Sequence, residues 1–109
     1  MKETVMVKHA VTGLELLNNN KHSFTYELID LPAGGFRMTL VGAPEEIVQD
    51  ILTLQNELNL FRFELPEDAP QIKHWYYVKE HGVQYQADQQ QLIIEASSEI
   101  VYLPSEYLE

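Results

Sequence analysis

The chain has 109 residues, 45% of them hydrophobic and 22% charged, which is the composition of one globular domain spanning residues 1–109. Seventeen acidic residues against seven basic ones give a formal net charge of −10, which disfavours nucleic acid and anionic membranes and favours a basic protein as a charge-steered partner. The absence of cysteine excludes a disulfide framework, a thiolate metal site and a cysteine nucleophile.

The N-terminal segment predicts a short strand and then a short helix. Residues 4–8 favour a strand, and four apolar residues between Ala10 and Leu17 recur at helical spacing, which predicts a helix over residues 10–17. Gly13 weakens this helix, and the asparagine run after Leu17 ends it. A strand over the same residues is the alternative.

Residues 23–41 predict an antiparallel hairpin. Apolar side chains occupy alternate positions over residues 24–28 and again over residues 36–40, as in strands with one buried face. The proline- and glycine-containing segment 32–35 between them is typical of a turn.

Residues 44–58 predict one amphipathic helix followed by a strand. Pro44 suits the first helical turn because its missing N–H would be unpaired there. Glu45 and Glu46 stand favourably at the positive end of the helix dipole. After the helix, apolar residues alternate over 61–65. The apolar side of the helix consists of Ile47, Val48, Ile51, Leu52, Leu54 and Leu58.

The chain after residue 70 is rich in strand-forming residues. Strands are predicted over 72–79, 83–87, 92–96 and 100–103, with turns at 80–82, 88–90 and 97–98. Three placements are possible for these strands: they could extend the first sheet, form a second layer or reach a partner subunit. Periodicity does not distinguish between them. The segment 104–109 is typical of a partly apolar arm that docks on a neighbouring subunit.

The predicted order of elements is that of an α+β domain. The first 65 residues favour a ferredoxin-like β-α-β-β-α-β core with additional C-terminal antiparallel strands. The alternative is two β-sheets packed around a single long helix. A domain of this size gains stability from an oligomer contact, so we expect a homodimer. No apolar run approaches a membrane span and the start lacks the core of a signal peptide, so we expect a cytoplasmic protein.

The densest aromatic stretch is the best candidate for a ligand site. An antiparallel fold could bring its flanking histidines to a shared cleft, although aromatic residues of this kind also fill cores and interfaces. Two strand arginines, on strands whose other faces are apolar, could clamp a carboxylate or phosphate from one outward surface, or could form cross-strand ion pairs. The candidate ligand-binding residues are therefore His74, Trp75, Tyr76, Tyr77, His81, Tyr85, Arg37 and Arg62.

No motif for catalysis, phosphate binding or metal binding is present, so we assign no catalytic residue, no cofactor and no metal site. The sequence favours a non-catalytic module that binds a small molecule or a protein. The second hypothesis is an acidic inhibitor that blocks a basic active site, and one contiguous acidic surface would favour it. The third is a small enzyme that uses His74 or His81 in an aromatic cleft.

Overall fold

The computed structural model describes residues 2–102, which form one curled antiparallel sheet, a half-barrel, and one helix. The strands lie side by side in the order β2-β1-β5-β6-β7-β4-β3. The elements are β1 (Lys2–His9), β2 (Glu15–Asn18), β3 (Thr25–Asp30), β4 (Phe36–Val41), α1 (Glu45–Thr53), β5 (Leu58–Leu65), β6 (Ile72–Gln86) and β7 (Gln91–Tyr102).

The predicted ferredoxin-like core is wrong. That fold needs two helices that cross over the sheet, whereas residues 2–102 contain one α-helix, and every pair of neighbouring strands is antiparallel. The alternative of two sheets around a long helix is also wrong, since the described strands form one sheet and α1 has nine residues. The strands after residue 70 extend the first sheet.

The predicted helix over residues 10–17 is a turn followed by strand β2. Gly13 has φ 75°, a left-handed conformation that glycine adopts readily, and it lies in the turn that returns the chain along β1. The hairpin buries Leu17 against the core and leaves Val11 72% exposed. Pairing with β1 therefore overrides the helical spacing of the apolar residues.

The amphipathic helix is confirmed, although it is shorter than predicted. Val48 and Ile51 are fully buried, while Glu45, Glu46 and Asp50 face solvent, as the pattern indicated. The helix ends at Thr53, and Leu58 begins β5 instead of completing the apolar side. The predicted hairpin is also confirmed by the pairing of β3 with β4.

The two long C-terminal strands run through two of the predicted turns. Residues 80–82 form an irregularity within β6, where the register with β7 shifts between Val78 and Val83 and His81 has φ 59°. Ser98 pairs with Tyr77 inside β7, so the predicted turn at 97–98 is wrong. The turn at 88–90 is confirmed, since a short 3₁₀ turn joins β6 to β7.

The core lies on the concave face of the curled sheet, where α1 covers it. The helix contributes Val48 and Ile51. The sheet contributes Val5, Val7, Leu17, Met38, Leu40, Leu58, Leu60, Tyr76, Val83, Leu92, Ile94 and Ala96.

No helix within residues 2–102 is long and apolar enough to cross a membrane. The predicted C-terminal arm, 104–109, lies outside the described residues, as does residue 103 of the last predicted strand.

Candidate functional site

Strands β1, β5, β6 and β7 carry different chemistry on their two faces. Successive side chains of a strand point to opposite faces of the sheet. One end of the sheet contains the start of β1, the end of β5, the start of β6 and the end of β7. There, charged and hydroxyl-bearing side chains point to the concave face and aromatic ones to the convex face. The concave set, together with Tyr26 of β3, which bonds Glu3, is called the polar cluster below. It consists of Glu3, Tyr26, Arg62, Glu64, His74, Tyr76 and Glu99.

His74 stands at the centre of the polar cluster. Its Nε2 lies 2.5 Å from Glu64 Oε2 and its Nδ1 lies 2.7 Å from Glu99 Oε2, so each ring nitrogen meets a carboxylate of a neighbouring strand. A neutral imidazole has one N–H, so both contacts are hydrogen bonds only when the ring or a carboxyl group holds one more proton. His74 therefore links β5, β6 and β7 on their inner side.

Arg62 extends the polar cluster toward β1. Its Nη1 lies 3.0 Å from Glu3 Oε2, and its Nε donates a hydrogen bond of 3.1 Å to the Tyr76 hydroxyl. Burial would lower the pKa of Arg62, but the bonds to Tyr76 and Glu3 outweigh burial and raise the pKa. The guanidinium therefore stays charged and offsets one of the carboxylates.

The two tyrosines of the cluster are held in the neutral form. Burial, reinforced by a hydrogen bond of 2.6 Å from its hydroxyl to Glu3 Oε1, raises the pKa of Tyr26 to about 12. Burial also raises the pKa of Tyr76, and its bond with Glu99 adds to the shift while Arg62 opposes it. Both hydroxyls therefore act as hydrogen-bond groups between charged neighbours.

The polar cluster is internally paired. Its carboxylates bond to Arg62, His74 and the two tyrosines, and both ring nitrogens of His74 are engaged by the protein itself. Neither nitrogen is therefore positioned to take a proton from a substrate. Within residues 2–102, no three histidine, aspartate or glutamate side chains are grouped so as to hold a metal ion. This arrangement suits a structural clamp better than an active site.

The convex side of the same four strands carries a compact grid of side chains, called the aromatic face below. Strand register places these side chains in three rows of four across β1, β5, β6 and β7. The rows are Thr4, Phe63, Lys73 and Tyr102; Met6, Phe61, Trp75 and Ile100; and Lys8, Asn59, Tyr77 and Ser98.

The rings of the aromatic face contact one another across strands. Trp75 is central, with its ring centroid 5.7 Å from that of Phe61, 5.2 Å from that of Tyr77 and 6.3 Å from that of Tyr102. Phe61 and Phe63 stack at 6.2 Å. These separations lie in the range at which aromatic pairs attract. The indole Nε1 of Trp75 is buried among them and has no hydrogen-bond partner in the described part of the chain.

The predicted site residues divide into three groups. Arg62, His74 and Tyr76 come together in the polar cluster, and Trp75 and Tyr77 lie on the aromatic face. The remaining three lie apart from both sites. Arg37 lies on the convex side, opposite to Arg62, and its Nη2 bonds Glu95 at 2.9 Å; His81 is exposed at the irregularity of β6; and Tyr85 packs against the core. A role in ligand binding stays a prediction for all eight.

Sequence reasoning missed more than half of each site. The polar cluster also takes Glu3, Glu64 and Glu99, one from each of three strands, and the aromatic face takes Phe61 and Phe63 from β5. One signal was available: in the run from Leu60 to Leu65, aromatic and charged residues alternate, which is typical of a strand with chemistry on both faces.

No protein-family model matches the chain, and neither the curated proteins nor the solved structures searched include a match. The geometry of the two sites is therefore what indicates the function.

Proposed function

We propose that the protein is a non-catalytic protein-binding module and that the aromatic face is its binding surface. The observation that carries this proposal is a contiguous set of aromatic rings on the sheet face opposite to the core. The helix of the described chain packs on the other side of the sheet. On this side Tyr77 is exposed and Phe63, Trp75 and Tyr102 are half-buried, so a partner could cover them, whereas Phe61 is already buried.

Composition supports the same proposal. Tryptophan, tyrosine, phenylalanine and methionine are enriched at protein interfaces, and Trp and Tyr dominate their binding energy. The aromatic face contains these types, and Tyr77 at its rim is 40% exposed. Soluble proteins rarely leave such clusters uncovered unless they serve recognition.

The distribution of acidic residues does not favour the inhibitor hypothesis. Glu45, Glu46 and Asp50 are exposed on α1, but Glu99 is turned into the polar cluster and Glu95 is paired with Arg37 on the convex side. One acidic surface that joined α1 to the C-terminal strands would need those carboxylates beside the helix. Dispersed charge supports the binding module instead.

The enzyme hypothesis has less support, because the histidine nearest to a cluster of functional groups is fully engaged by Glu64 and Glu99. A homodimer, a small-molecule ligand and a cytoplasmic location remain part of the proposal as expectations from the sequence. Measurement of molecular mass in solution tests the homodimer, and cell fractionation tests the cytoplasmic location.

Peptide selection tests the proposed binding surface. Immobilised wild-type protein is used to select binders from a library of random peptides displayed on phage, and the selected peptides are then measured by calorimetry. We expect Tyr77→Ser to weaken their binding about tenfold or more, as removal of an interface hot spot does.

Val11→Ser is the matched control, because Val11 is an exposed apolar residue in the turn between β1 and β2, off the aromatic face. It should leave binding unchanged. A failure to enrich any peptide, or equal affinity for wild type and Tyr77→Ser, would refute the proposed surface. Thermal melts of each variant confirm that the fold is retained.

A further inference from the structure

The charge of the aromatic face is opposite to that of the whole protein. The grid contains Lys8 and Lys73 and no acidic residue. In a chain with seventeen acidic and seven basic residues, none of these twelve positions is acidic, although Glu15 of β2 lies opposite Lys8 at the edge of the grid. Glu3, Glu64 and Glu99 belong to the same four strands, but they point to the concave side.

Lys73 is held over rings instead of against a carboxylate. Its Nζ lies 4.9 Å from the ring centroid of Phe61, 5.9 Å from that of Phe63 and 5.7 Å from that of Tyr102, within the range of cation–π attraction. Ring faces attract the charge but accept little hydrogen bonding. The ammonium N–H groups therefore remain suited to a carboxylate that arrives with a partner.

Lys8 approaches the same ring from the other side. Its Nζ lies 5.8 Å from the centroid of Phe61, so one phenyl ring lies between two ammonium groups. Neither Lys8 nor Lys73 forms an ion pair with another of the described residues, whereas Lys21 and Lys79 pair with Glu15 and Glu95. The charge of Lys73 is therefore not paired by those residues, whereas Lys8 also interacts electrostatically with Glu15 of β2.

We propose that the aromatic face selects a protein segment in which carboxylates stand next to apolar side chains, an inference that rests on the proposed function. Apolar side chains of the segment cover the rings around Trp75, and its carboxylates meet Lys8 and Lys73. The acidic remainder of the protein surface repels a partner that is acidic over a large area, so the complementary segment is short.

Two other occupants fit the face less well. A nucleic acid could stack bases on the rings, but the net charge of −10 opposes a polyanion and the face offers two cations. A second copy that paired face to face would bring equivalent lysines together about a twofold axis, and like charges there are destabilising.

The composition of selected peptides and two lysine variants test this inference. We expect peptides selected on the wild type to be enriched in Asp or Glu beside Leu, Phe or Trp. Lys8→Met and Lys73→Met keep the apolar stem and remove the charge. Each should weaken peptide binding by about three- to fivefold at low salt, and the loss should shrink at high salt.

Lys79→Met is the matched control, since it removes the same charge from a lysine outside the grid, 3.8 Å from Glu95. It should not change affinity. If peptides depend on Tyr77 but show no acidic preference, or if both lysine variants bind as well as wild type, the inference fails and the proposed function stands. If no peptide depends on Tyr77, the proposed function itself fails. Tighter binding of a single-stranded oligothymidylate than of the peptides would overturn the inference in favour of nucleic acid.

Discussion

His74 is the side chain that joins β5, β6 and β7 within the polar cluster. It is 8% exposed, its ring stacks at 6.2 Å on Tyr76, and its two nitrogens contact carboxylates from β5 and β7. Hydrogen bonds to charged groups are stronger than neutral ones, especially where water is partly excluded. Three strands thus meet at one imidazole, directly behind the aromatic face.

We expect His74→Phe to lower the free energy of unfolding by about 2 kcal/mol, because the ring is kept while Glu64 and Glu99 lose their shared partner. Urea unfolding at neutral pH measures the change. His81→Asn is the control, since His81 has φ 59° and an exposed side chain, and asparagine tolerates that backbone conformation. Equal stabilities of the two variants would contradict the clamp.

Tyr26 predicts how stability changes at alkaline pH. Its pKa is raised from 10.0 to about 12 in the folded protein, so the folded state retains the proton at pH values where the unfolded chain loses it. The stabilisation is complete below about pH 10 and is lost as the pH rises toward 12. Urea unfolding over this range should show a steeper decline for the wild type than for Tyr26→Phe. Parallel declines would contradict the assignment.

Residue types in the sequence indicated part of the polar cluster. Arg62 stood out as a charged residue in a strand whose other face is apolar, and His74 and Tyr76 stood out because they belong to the densest aromatic stretch. Glu3 and Glu99 did not, since an acidic chain has many carboxylates and their partners depend on strand register. Glu3 meets Arg62 from 59 positions away, a distance that no local pattern encodes.

The hairpin of β3 and β4 shows how closely one element fits against another. Gly34 and Gly35 both have positive φ, 99° and 88°, in the turn between these strands. A Cβ added at Gly34 meets nothing within 4 Å, whereas a Cβ at Gly35 would overlap the backbone carbonyl oxygen of Ala96 in β7. The turn therefore lies directly against the neighbouring strand.

We expect Gly34→Ala to destabilise the protein by about 1 kcal/mol, which is the cost of a left-handed conformation for an L-residue. Gly35→Ala carries the same cost and also forces β7 away from the turn, so it should destabilise by at least about 1 kcal/mol more. Thermal or urea unfolding of the two variants compares them directly. A smaller loss of stability for Gly35→Ala than for Gly34→Ala would show that the turn can move away from β7 without destabilising the protein.

The elements differ in how well local pattern predicts them. The helix α1 follows from its apolar spacing and from Pro44 at its start, and the β3–β4 hairpin follows from alternation around a glycine turn. The helix predicted over residues 10–17 is wrong because a short apolar spacing is compatible with a helix and with a strand, and pairing with β1 decides between them. The turn predicted at 80–82 is wrong because Gly82 marks a bulge within β6 and not the end of a strand.

At the scale of the molecule, the fold is decided by pairings between distant strands. β1 and β5 lie side by side although β2, β3, β4 and α1 separate them in sequence, and β7 inserts between β6 and β4. Alternation predicts that a segment is a strand but not which strand lies beside it. The order β-α-β-β-α-β was plausible only while residues 10–17 counted as a helix, so one local error changed the predicted architecture.

The net charge and the aromatic face together predict salt-dependent self-association. At low salt, a charge of −10 keeps copies apart, and the lysines of the aromatic face oppose its pairing with a second copy. At about 1 M salt the Debye length falls to about 3 Å, and contact between aromatic faces is no longer opposed by long-range repulsion. Sedimentation velocity should show weak association at high salt that Tyr77→Ser removes. A monomer at both salt concentrations would contradict a homodimer formed through this face.

Trp75 is the single tryptophan of the chain, and it lies on the outer sheet surface instead of in the core beneath α1. Its fluorescence emission should therefore respond weakly to repacking around Val48 and Ile51 and strongly to whatever covers the convex side. The fold thus places an intrinsic spectroscopic reporter at the centre of the aromatic face, and a blue shift of that emission would record binding in unlabelled protein.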